Sequence, residues 1–131
     1  MGGMTWLAHR VGYDFDHMGD HDSADFYFDL QINTSNNTVE NGVEPDVNFS
    51  YYDRACVYAY RGEVEEAMED LRKFNQVEKI PQWMVTLIKN DPMLDSLRHE
   101  PEFQQIVSDV EAKYQAEHQR VRQWLEENEM L

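Results

Sequence analysis

YYDRACVYAYRGEVEEAMEDLRKF, residues 51–74, places small residues at Ala55 and Ala67, a glycine at Gly62 and large apolar side chains at Tyr51, Tyr58 and Leu71. The spacing predicts two amphipathic helices joined at a glycine turn. Gly62 permits the left-handed backbone that ends the first helix, and the small residues let the two backbones approach closely. The aromatics fill the space between them.

The same pattern occurs 43 residues earlier, in AHRVGYDFDHMGDHDSADFYFDLQ, residues 8–31. Gly12 falls on Ala55, Phe15 on Tyr58, Gly19 on Gly62, Ala24 on Ala67 and Phe28 on Leu71. The chain therefore carries an internal repeat of one helical hairpin.

In these positions the second copy resembles a tetratricopeptide repeat, a helix–turn–helix unit of about 34 residues. Ala55, Tyr58, Gly62, Ala67 and Leu71 match its small, aromatic, Gly, Ala and large-apolar positions, and Tyr51 stands at the aromatic that opens the motif. Val11, Gly12, Phe15, Gly19, Ala24 and Phe28 match in the first copy. Arg54 departs from the usual leucine, Gln31 and Phe74 replace a small residue, and neither copy has the closing proline. DPMLDSLRHEPEF, residues 91–103, resembles the segment that closes many such arrays in bacterial regulators, kinases and signalling proteins. The resemblance implies an all-α superhelix of about seven helices, since three stacked units are the usual minimum. Repeat one would span residues 5–38 with a loop to 46, repeat two 47–80, and capping helices 81–131.

The stretch from Asn33 to Asp46 is rich in Asn, Thr and Ser, which hydrogen-bond locally and bury little, so an extended loop is expected there, with Asp46 as a helix cap. Pro81, Pro92 and Pro101 each mark a helix start, and Asp91 before Pro92 joins a cap acceptor to a favoured first-turn proline. Residues 81–98 would form a third pair. Residues 101–128 form one long helical pattern. Phe103, Val110 and Trp124 share a seven-residue spacing that Glu117 interrupts, so the helix is expected to cap the repeats, with a homodimer through it as the alternative.

The length of 131 residues suits one domain. A formal net charge of −15 repels phosphate backbones and anionic lipid, which argues against nucleic-acid or membrane-surface binding. Residues 1–53 are the more one-sided, with Arg10 their only Lys or Arg. No apolar run is long enough to span a membrane, no signal-peptide pattern opens the chain, and the lone Cys56 has no disulfide partner within it. These features suggest a cytoplasmic location.

The densest polar cluster runs from Asp14 to Asp25. Asp14, Asp16, Gly19, Asp22 and Asp25 partly fit a calcium loop, but Met18 occupies an oxygen-ligand position and Asp25 is shorter than the expected Glu. His17 and His21 have the spacing of zinc ligands on a helix, yet Gly19 lies between them. No resident metal or cofactor is expected. Cys56 lacks a local base, and no phosphate loop or nucleophile elbow occurs, so no catalytic set is assembled.

Surface recognition is the remaining class. The resemblance implies a groove lined by the first helix of each hairpin: Trp6, His9, Tyr13 and His17, with Phe49, Tyr52, Cys56 and Tyr60. The carboxylate clamp of the family's chaperone-binding members is missing, since His9, Tyr13, Asp16, Tyr52, Cys56 and Ala59 stand at the matching positions. An acidic, aromatic groove favours a basic or apolar protein segment. The expected function is therefore a protein–protein interaction module. The alternatives are a regulatory or sensor fragment of a larger signalling protein, and a metal protein or enzyme using the Asp/His turn.

Overall fold

The computed structural model describes residues 7–44 and 46–130, and no strand occurs among them. The elements run α1 (Ala8–His17), α2 (His21–Asn41), α3 (Asp46–Tyr60), α4 (Val64–Phe74), α5 (Gln82–Asn90), a 3-10 helix (Pro92–Leu97) and α6 (Pro101–Glu127). No described helix is long and apolar enough to cross a membrane.

Helices α1 and α2 form one hairpin, α3 and α4 a second, and α2 packs against α3 to join them. The two turns have the same construction. Gly19 and Gly62 adopt φ of +84° and +82°. The amide of Asp20 donates to the Phe15 carbonyl at 3.0 Å, and that of Glu63 to the Tyr58 carbonyl at 2.8 Å. These are the same bonds 43 residues apart, each recovering a helix-end carbonyl through a left-handed glycine. Beyond the turns, Ala24 and Ala67, and Phe28 and Leu71, are buried in equivalent places.

The expected loop after Asn33 is instead helix as far as Asn41. Two of its polar side chains are engaged with other side chains. Gln31 Nε2 donates to the buried Ser35 hydroxyl at 3.0 Å, and Asn36 Oδ1 accepts from Arg54 at 2.7 Å. The helix ends where the Gly42 amide donates to the Thr38 carbonyl. Asp46, expected as a cap, lies inside the first turn of α3, where its charge favours the positive end of the helix.

The three prolines do open helical segments, but the second segment is a 3-10 helix, so the third unit is not a regular pair. Asp91 caps it by accepting from the Met93 amide at 3.1 Å. The 3-10 helix packs on α3, and Met93, Leu94 and Leu97 enter the core with Met84, Val85 and Ile88 of α5. Phe103, Ile106 and Val110 of α6 complete that core, while Val121 and Trp124 further along are exposed. The first half of α6 covers the bundle and the second projects from it.

Candidate functional site

Helices α1, α3 and α5 enclose a cleft of about 440 Å³. Its apolar wall combines Leu7 from the start of α1, Phe49 of α3, and Trp83 and Leu87 of α5; the Phe49 and Trp83 ring centroids are 5.5 Å apart. Trp83 is 57% exposed, which leaves a large indole at the rim. A polar side is formed by His9, Arg10 and Asp53.

Two polar systems meet there. In the first, Arg10 donates both of its terminal nitrogens to the two carboxylate oxygens of Asp91, each at 2.7 Å. Asp91 also accepts from Tyr52 at 2.8 Å and from the Cys56 thiol at 3.5 Å. Burial opposes its charge, yet the hydrogen bonds and charge of Arg10 hold its carboxyl below the usual range. Burial pushes the Cys56 thiol and the Tyr52 phenol well up, so both remain protonated donors.

In the second system, His9 Nδ1 lies 2.9 Å from Gln31 Oε1, which also accepts from the His9 amide at 3.2 Å. Gln31 Nε2 is already directed at Ser35, so Nδ1 carries the proton and Nε2 is left as an acceptor. That Nε2 is buried and has no hydrogen-bond partner among the described residues. Asp53 Oδ1 stands 3.4 Å from it. Burial, with the Arg10 charge second, lowers the His9 pKa to about 4. Burial raises the Asp53 pKa to about 7 against the pull of Arg10. Near neutrality His9 is therefore uncharged and Asp53 is shared between its acid and its carboxylate.

The expected groove residues are divided between two places. His9, Phe49 and Tyr52 reach the cleft, although His9 and Tyr52 are buried in its floor. Cys56 is fully buried beneath Asp91. The 3-10 helix of the same chain packs on α3, and Tyr52 and Cys56 both face Asp91 at its start. Tyr13, His17 and Tyr60 form a separate aromatic cluster, with the Tyr13 ring 4.1 Å from His17 and 5.4 Å from Tyr60. Trp6 lies outside the described residues.

The Asp/His turn is engaged internally. Asp16 accepts from the Tyr60 hydroxyl and lies 2.7 Å from His21 Nδ1, and the Tyr60 bond followed by that to His21 depresses its pKa. Burial and the Asp16 bond push the Tyr60 phenol up to about 12. Among the described residues no group of three or more His, Cys, Asp or Glu side chains is placed to hold a metal ion.

Asp53, Trp83, Leu87 and the Arg10–Asp91 pair did not emerge from motif reading. Arg10 carried one signal, as the only Lys or Arg among residues 1–53. Trp83, two residues after Pro81, carried another. A scan against protein-family models and searches of curated proteins and of solved structures found no match.

Proposed function

We propose that this chain is a protein-interaction module, of tetratricopeptide-like architecture, that holds a basic and apolar segment of a partner across the α1–α3–α5 cleft. The observation that carries this reading is the cleft itself: an apolar wall with an exposed indole, ending at an acid that no described residue hydrogen-bonds. The matched turns of the two hairpins support the architecture. The charge of −15 supports a cationic segment, because it speeds encounter with one and repels an acidic competitor. Aromatic rims of this kind bury much area at low entropic cost. In this reading the chain catalyses nothing and needs no metal or cofactor.

The test is titration of the full chain with peptide libraries, read by fluorescence. Peptides combining Lys or Arg with Leu or Phe should bind, perturb tryptophan emission, and weaken several-fold between 50 mM and 500 mM salt. Trp83→Ala should weaken them by about tenfold or more, the usual effect of removing an aromatic anchor. Equal binding of acidic and basic peptides, or no effect of Trp83→Ala in a folded variant, would remove the reading.

A further inference from the structure

The cleft's geometry specifies what enters it, an inference that rests on the interaction reading and deepens it. His9 Nε2 and, in its ionised form, Asp53 Oδ1 are acceptors 3.4 Å apart, and neither takes a hydrogen bond from another described residue. Arg10, the nearest cation, is committed to Asp91 through both terminal nitrogens. Asp53 is 23% exposed and lines the cleft, so a ligand can reach it. Phe49, Trp83 and Leu87 line the same cleft, an apolar surface suited to a methylene stem. A group that satisfies this site needs a positive charge, several N–H donors and an apolar stalk.

We propose that the cleft takes a lysine or arginine side chain of the bound segment, its stem between Phe49, Trp83 and Leu87 and its N–H groups donating to Asp53. An apolar anchor would leave the Asp53 carboxylate without a donor, and a quaternary ammonium would supply charge without one. Occupancy is linked to a proton. The groups around Asp53 are His9 and Arg10 of α1, Tyr52, Cys56 and Asp46 of its own helix, and Asp91 before the 3-10 helix. From α2 come the uncharged Gln31 and Thr34, and from α5 only side chains that do not titrate. Asp53 changes charge around neutrality, with its pKa at about 7. Seating a cation ionises the acid and sends its proton to solvent.

The experiment uses the full chain and four versions of one short peptide, with lysine, arginine, norleucine or trimethyl-lysine at the anchor position. Binding is measured by calorimetry in two buffers of different ionisation heat at several pH values. The lysine or arginine peptide should bind at least tenfold more tightly than the norleucine peptide at pH 8. Its affinity should rise about tenfold from pH 6 to pH 8, with release of about three-quarters of a proton at pH 6.5. Whichever of the two binds more tightly identifies the anchor. Asp53→Asn should abolish both the pH dependence and the preference over norleucine. Because it removes an acid that burial disfavours, that variant should fold, which circular dichroism checks. Trp83→Ala should weaken all four peptides without changing proton release.

Trimethyl-lysine matching or exceeding lysine would overturn the proposal, since recognition would then rest on aromatic faces alone. Affinity that is flat in pH, or unchanged preference in Asp53→Asn, would also overturn it. If peptides bind in a Trp83-dependent manner with no preference for the cation, the interaction reading survives and the cation assignment fails. If none binds and tryptophan emission is unperturbed, both fail.

Discussion

Gly12 leaves no room for a side chain: a Cβ there would lie 2.7 Å from Cδ1 of the buried Phe28 and 3.1 Å from the Ala24 carbonyl. Gly12→Ala gains helix propensity of about 1 kcal/mol but must displace a packed ring and a neighbouring backbone. The expected result is a net loss of about 1–2 kcal/mol, measured by urea denaturation. His9 and Asp53 act in opposite senses on stability. The folded Asp53 pKa, about 7, lies above its ordinary value of 3.8, so its contribution is present at low pH and lost as pH rises toward 7. The folded His9 pKa, about 4, lies below 6.5, so its contribution is present at neutral pH and lost as pH falls through that window. The two nearly cancel between about pH 4 and 6.5. In Asp53→Asn the His9 effect stands alone: stability should climb with pH across the window and exceed wild type by about 4 kcal/mol at pH 8. Chemical denaturation at a series of pH values decides this, and an unchanged profile would refute it.

At the scale of elements, residues that depart from the repeat pattern tie helices together. Arg54 donates to both Asp70 carboxylate oxygens at 2.8 and 2.7 Å and reaches Asn36 at 2.7 Å, linking α2, α3 and α4. Asp70 is buried. Arg54→Met leaves that acid without its partner and should cost about 3–5 kcal/mol, whereas Arg54→Met with Asp70→Leu should recover much of the loss. A double-mutant cycle in denaturant measures both. Gln31, another departure, bridges His9 and Ser35 and helps α2 continue through its Asn- and Ser-rich end. The hairpins, glycine turns and proline-marked helix starts were legible in the sequence because they follow from local backbone rules. The helical stretch after Asn33 was not, since its composition suits a loop until partners on α3 are present. The cleft was legible only in part, because Asp53 and Trp83 meet through the packing of α3 and α5, which no local spacing records.

Across the whole molecule, the core stops well before the chain does. No residue after Val110 among those described is buried, and the ion pairs of the projecting half, such as Arg120–Glu117 and Arg122–Glu126, lie on its surface. Exposed pairs of this kind add little. A chain ending at His118 should melt within about 2 °C of the full one by calorimetry. A larger drop would mean that the projecting helix is held by contacts beyond the single chain, as in a dimer.

The Arg10–Asp91 pair has a consequence for biosynthesis. Both hairpins are complete in sequence by Phe74, yet the carboxylate that neutralises Arg10 and receives the hydroxyl of Tyr52 arrives only with Asp91. While the nascent chain emerges, Arg10 and Tyr52 have not yet met the carboxylate they share. A nascent chain halted at Ile80 should therefore remain sensitive to protease, with protection gained only once Asp91 and the core residues through Val110 have been added.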